Sequence, residues 1–191
     1  MKKVHFNRVV IIQSIPEGEL HTGTKLHEDI DMLNIAYDRR LDVKLYNIKT
    51  KTELLELLFC LTNEASNYGQ IPILHIEAHG RDDNRGLVLA SDDFISWKDL
   101  KDPLIKLNIA TRNNLFIVLA ACHGANLTET LLPTDRAPCW GLIGPKKQIP
   151  AEVLLKSFSA FHKELLWTGS GGKAVKVLND AAPRGVTGYF F

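Results

Sequence analysis

Two short stretches of the chain carry residue types that do covalent chemistry. "LAACHG", residues 119–124, ends an apolar run in Cys122, His123 and Gly124. "HIEAHG", residues 75–80, ends another in His79 and Gly80. A thiol attacks a carbonyl as the thiolate, so it needs a base to take its proton. A histidine across a cleft can take that proton and later hand it to the leaving amine. The tetrahedral intermediate carries an oxyanion, which backbone N–H groups in the turns after the strands can stabilise. The N–H groups of Gly80 and Cys122 are the candidate pair, and Gly80 leaves room for a substrate to come close.

The same residues have plainer uses. A cysteine at a strand end can be a small core hydrophobe, and a His-Gly pair can be a turn. A metal site is another use, with His75, His79, Cys122 and His123 as nitrogen and sulfur ligands. Strand rise sets His75 and His79 roughly 13 Å apart, which counts against it. The nucleophilic reading ranks first because both strands end in reactive residues in the same way. In open parallel sheets, sites form beyond the carboxyl ends of the strands. If these two strands are neighbours, His79 and Cys122 emerge side by side.

The rest of the chain must supply those strands. Its 191 residues suit one domain with a sizeable core. Hydrophobic residues make up 45% and charged residues 24%, the balance of a globular protein. The net charge of +1 offers no broad electrostatic basis for binding nucleic acid or an anionic membrane. Two lysines precede "VVII", but this run is only four residues long, short of the roughly 7–15 of a secretory signal. No stretch approaches the roughly 20 apolar residues of a membrane helix. Cys60, Cys122 and Cys139 are odd in number and widely spaced, with no C-x-x-C pair. They read as reduced thiols, and a cytoplasmic location is expected.

Short apolar runs alternate with longer amphipathic ones, which predicts an α/β domain with a mainly parallel sheet between helices. "RVVIIQS", "DVKLYNI", "IPILHIEAH" and "NLFIVLAAC" read as the first four strands. Lys25–Arg39 reads as a helix, and "TKTELLELLFCLTNEAS" as a second with a threonine cap and Cys60 on its core face. "GLVLASDDFISWKDLKDPLIKL" predicts a small hairpin, then a helix capped near Ser96 and opened by Trp97. "CWGLIGP" is a further strand, with Cys139 and Trp140 in the core. "PAEVLLKSFSAFHKELLWTGSG" and "KAVKVLNDAAP" are the last helices, His162 being structural or on the surface, and "GVTGYFF" is a tail or final strand.

These residues resemble the caspase-like cysteine peptidases, the clan of caspases, metacaspases, separase-like enzymes and CHAT domains. The caspase pattern is Q-A-C-[RQG]-G with a histidine roughly 50 residues upstream. Here "AACHG" places its cysteine 43 residues after His79. "HTGTKLHEDIDML" is similar to the caspase segment R-x-G-T-x-x-D-x-x-x-L after the first strand. "DVKLYNIKTKTELLELL" and "GLVLASDDFISWKDL" follow the caspase order as well, so residues 8–126 resemble the large subunit. "RAPCWGLIGPKKQIPAEVLLKSFSAFHKEL" looks more like a CHAT domain, and residues 137–191 resemble a small subunit or CHAT part.

The resemblance implies one peptidase domain over residues 1–191, folded as a three-layer sandwich. It implies Cys122 as nucleophile, His79 as its partner, Gly80 in the oxyanion-hole turn, and endopeptidase cleavage without metal or organic cofactor. His21, Ala120 and His123 stand at substrate-binding positions where caspases place Arg, Gln and Arg. Neither His21 nor Ala120 can make the bidentate clamp that a substrate aspartate needs. The expectation leans toward a neutral or apolar residue before the scissile bond. Asp82 and Asp83 are the acidic alternative for a basic one. "TETLLPTDRAP", residues 128–138, with Pro133 and Pro138, is the loop most open to processing.

Small proteases of this type occur in bacterial antiphage operons, paired with a pore-forming gasdermin or a sensor. The resemblance thus implies a protein substrate, of which a gasdermin-like pore former is one kind, and an upstream activator or sensor. A catalytically idle caspase-like interaction module is the alternative function.

Overall fold

The structure is a computed structural model that describes residues 3–132, 134–181 and 186–190. Met1, Lys2, residues 182–185 and Phe191 lie outside the described residues, as does Pro133 of the expected processing loop. In chain order the elements are β1 (Arg8–Ser14), α1 (Thr22–Ala36), β2 (Asp42–Asn47), α2 (Lys51–Tyr68) and β3 (Pro72–Gly80). A small hairpin follows, β4 (Gly86–Val88) and β5 (Phe94–Ser96), then α3 (Trp97–Ala110) and β6 (Phe116–Ala120). The chain continues through a 3₁₀ segment (Gly124–Thr130), β7 (Gly141–Pro145), α4 (Ala151–Thr168), α5 (Gly171–Ala181) and β8 (Val186–Phe190).

The main sheet has the order β2-β1-β3-β6-β7-β8. Its first five strands run parallel, and β8 runs antiparallel to β7. The β4–β5 hairpin branches from the end of β3. Strands buried on both faces read as continuous apolar runs, and β1, fully buried, is "RVVIIQS". On one face, Leu54, Leu58 and Leu61 of α2 and Leu100, Leu104 and Leu107 of α3 cover Val10, Ile12, Leu74 and Ile117. On the other, Leu26 and Ile30 of α1 and Phe158, Phe161 and Leu165 of α4 cover Ile11, Ile73, Phe116 and Val118. The expected α/β architecture is therefore present as three layers.

The helix ends explain the connections. Thr50 accepts from the Glu53 N–H while the Glu53 carboxylate accepts back from the Thr50 N–H, a reciprocal cap. Ser96 caps α3 by accepting from Asp99. Helix α1 starts at Thr22, three residues before the expected Lys25, because Thr22 and Gly23 dock on β1 and β3. It stops at Ala36, and Asp38 and Arg40 then take the left-handed backbone, with φ of 48° and 54°.

One expectation changes, and another narrows from two alternatives to one. Cys60 is exposed. The buried stripe of α2 is Leu54, Leu58, Leu61 and Ala65, and Cys60 lies about 100° around the helix from Leu61. His162 is fully buried and faces His75 of β3, with Nε2 and Nδ1 3.4 Å apart. His75 Nε2 and His162 Nδ1 find no hydrogen-bond partner among the described residues. Burial pushes both imidazoles down, His162 to about 3, and the neighbouring His162 pushes His75 down further. Cys139 is buried as expected, and Trp140 is half-buried against Phe116.

An imidazole held neutral in the fold stabilises it above its unfolded pKa of 6.5 and loses that contribution as pH falls. For His162 alone the loss at pH 4 is roughly 2–4 kcal/mol. Glu77 works in the opposite sense between 4.5 and about 7, so a variant isolates the pair better than the bare slope. The expected result is that urea denaturation of His162→Leu shows a flatter stability profile between pH 7 and pH 4 than the wild type.

Candidate active site

The parallel register of β3 and β6 pairs Ile73 with Phe116 and ends by pairing Glu77 with Ala120. Two residues further along stand His79, at the end of β3, and Cys122, in the turn just past β6, so both emerge at the same carboxyl edge. Side chains alternate along a strand, which puts His75, Glu77 and His79 on the face covered by α1 and α4.

Gly80 makes the approach close. A Cβ placed on it would lie 1.8 Å from the Cys122 carbonyl oxygen and 2.8 Å from the Cys122 Cβ. Only a glycine fits against the cysteine backbone at that distance. Arg81 N–H donates to the Gly86 carbonyl. In an antiparallel ladder the in-plane direction of N–H alternates, so the Gly80 N–H points away from β4 and toward the cysteine side.

Strand β6 leaves the sheet through a tight turn. Gly124 N–H donates to the Ala121 carbonyl at 3.0 Å, which puts Cys122 and His123 at the two central positions. His123 takes φ 60°, a left-handed backbone uncommon for a non-glycine residue. Its Nδ1 reaches the Lys146 carbonyl at 3.1 Å, and Gly124 packs on Leu119 where a Cβ would lie at 2.8 Å. The turn presents Cys122, partly exposed, at the strand exit.

Cys122 and His79 line one cleft of about 340 Å³. Glu77, Ala120 and Thr22 lie in it, with Leu20, Ile149 and Leu154 as apolar wall. Among the described residues no hydrogen bond joins the thiol to the imidazole. The ring Nε2 is instead 2.9 Å from Glu19 Oε2. Glu19 sits on the loop between β1 and α1 and also lines the cleft. Catalytic hydrogen bonds are often long in an unliganded site and tighten with substrate.

Of the other expected positions, Ala120 lines the cleft, whereas His21 does not. The His21 Nδ1 accepts from the Gln13 side-chain amide at 2.8 Å, and His21 flanks the start of α1. His123 is turned to Lys146, away from the cleft lining. Asp83 bonds Arg81 at 3.2 Å and the Arg85 N–H at 3.0 Å, and neither it nor Asp82 reaches the cleft. No group of three His, Cys, Asp or Glu side chains among the described residues could hold a metal ion. The 128–138 loop is clasped by α3: Lys101 pairs with Asp135 at 3.0 Å and Asn108 Nδ2 donates to Ala137 at 3.0 Å.

Two carboxylates of the site, Glu19 and Glu77, were not singled out from sequence. The signal for Glu77 was its place between His75 and His79 on one strand face. Glu77 is 5% exposed. Its Oε1 accepts from the Thr22 hydroxyl, and its Oε2, beside the Gly23 backbone, makes no hydrogen bond of good geometry among the described residues. Burial pushes its carboxyl up to about 7, opposed by the Thr22 hydroxyl and the Gly23 N–H.

No protein-family model matches the chain, and no curated protein matches it either.

The Gly80 contact is directly testable. Gly80→Ala must push the Cys122 backbone aside, an overpacking that costs about 1–3 kcal/mol. The expected result is a lower thermal midpoint together with a changed rate of iodoacetamide labelling at Cys122.

Proposed function

We propose that the protein is a caspase-like cysteine endopeptidase that cuts protein substrates with Cys122 and His79. The observation that carries this reading is the glycine contact that sets the His79–Gly80 turn directly against the Cys122 backbone. The strand order, with five parallel strands and a last antiparallel one, is in keeping with the resemblance seen in the sequence.

The chemistry follows from these groups. A peptide bond enters the cleft, and the His79 imidazole takes the thiol proton. The thiolate attacks the carbonyl carbon, and the oxyanion lies near the N–H groups of Gly80 and Cys122. His79 then gives its proton to the leaving amine, which leaves a thioester on Cys122. Water attacks the thioester with His79 again as base and frees the acid. Glu19 would orient the imidazole and balance its charge, the part a buried carboxylate plays in a serine-protease triad.

The setting that fits this reading is a reducing cytoplasm, with a protein substrate such as a gasdermin-like pore former in antiphage defence. An upstream activator or sensor would release the activity. A catalytically idle interaction module is the second reading, and the hydrogen bond that holds His79 on Glu19 rather than on Cys122 is the observation in its favour.

A diverse peptide library incubated with wild type and with Cys122→Ala separates the two. The expected result is cleavage by the wild type that disappears in the variant, with His79→Ala lowering kcat/KM about 100- to 10,000-fold. Cleavage that survives Cys122→Ala would remove the proposed nucleophile, and cleavage by neither protein favours the idle module. Glu19→Gln should lower kcat by up to about 100-fold with little change in KM, because a misplaced ring loses rate rather than binding.

A further inference from the structure

We infer that the cleft accepts a protein substrate with lysine or arginine before the scissile bond, its cation meeting the Glu77 carboxylate. This rests on the peptidase reading above and names the substrate class of the same site. It replaces the expectation of a neutral or apolar residue drawn from sequence.

Three observations carry it. The first is depth. Glu77 lies two residues inward from His79 on the same strand face, and two residues of strand rise are roughly 7 Å. An extended lysine or arginine side chain covers that distance from a carbonyl held at Cys122. The second is room. Ala120, with a single methyl, stands opposite Glu77 in the β3–β6 register, and both line the cleft. Leu20, Ile149 and Leu154 line the cleft and can pack against an alkyl stem.

The third is charge. Among the described residues lining the cleft there is no lysine and no arginine, while Glu19 and Glu77 are both there. A substrate aspartate would meet two carboxylates and no lysine or arginine. Glu77 Oε1 is taken by Thr22, while Oε2, beside the Gly23 backbone, is buried without a hydrogen bond of good geometry. A buried carboxylate oxygen so poorly paired costs free energy, and a cationic donor removes that cost. Burial raises this carboxyl toward neutral pH, and a cation beside it would oppose that shift.

A purely structural role for Glu77 is to hold the start of α1 through Thr22 and Gly23. Glu77→Gln keeps an acceptor for Thr22 and the side-chain shape, removes the charge and turns the second oxygen into an amide NH2. It therefore separates anchoring from substrate recognition.

The test uses peptidyl acyloxymethyl ketones, in which the Cys122 thiolate forms a C–S bond as the carboxylate leaves. Probes carrying lysine, arginine, norleucine or aspartate at the position before the ketone are compared. Wild type should label at Cys122 at least about 30-fold faster with lysine or arginine than with norleucine, the lower end for one partner of a buried charge pair. Norleucine matches the lysine stem without its charge, so this comparison needs no variant. In Glu77→Gln the preference for lysine or arginine over norleucine should collapse. Labelling at Cys122 without a basic preference overturns this inference and leaves the peptidase reading standing. A preference that survives Glu77→Gln also overturns it. A wild type that no probe labels at Cys122 overturns the peptidase reading, and this inference with it.

Discussion

Everything at the reactive edge depends on how closely β3 and β6 approach each other. The two strands are parallel and in a register that brings His79 level with Cys122. The missing side chain at Gly80 then lets one strand exit rest on the backbone of the other. Any Cβ at that position would force the two exits apart. The glycine sets how closely the two strand exits approach, and the sheet sets their direction. The turn through His123 and Gly124 completes the arrangement by taking the chain away before it can cover the thiol.

The second constraint comes from the segment that joins β1 to α1. It carries Glu19 to His79, Leu20 to the cleft wall and Thr22 to Glu77. Gln13 at the end of β1 anchors this segment. Its side chain bonds His21, the Thr24 N–H and Asn47, at 2.8, 3.0 and 2.8 Å. Gly23 allows the helix start to sit this close, since a Cβ there would lie 2.6 Å from Glu77 Oε2. The cleft is therefore acidic for a structural reason: one strand supplies the buried carboxylate, and one loop supplies the exposed one.

The elements were legible because their periodicities differ. Strands β1, β3, β6 and β7 fell on largely apolar runs, the edge strand β2 on the mixed run DVKLYN, and Thr50 with Glu53 and Ser96 with Asp99 marked helix starts. The end of α1 was harder to place, because it rests on left-handed turns at Asp38 and Arg40 rather than on a glycine or proline. Cys60 was placed in the core because it stands among leucines, yet its angle around the helix turns it to solvent. His162 gave no hint of its partner, since His75 lies 87 residues away. Asp82 and Asp83 were the nearest acids to His79 in sequence, but the turn after β3 spends Asp83 on Arg81 and Arg85.

Sequence alone determined the fold class, the two strand exits and the candidate pair of Cys122 and His79. Those follow from local pattern: an apolar run, a reactive residue, then a glycine. Only the tertiary structure decided what surrounds the pair. Glu19 meets His79 across 60 residues, and Thr22 meets Glu77 across 55. Contacts of that range leave no periodicity in a chain, because they arise from how a loop and a helix start dock on a sheet. Burial decides the rest, since a glutamate read as polar in sequence becomes a poorly solvated carboxylate once α1 closes over it.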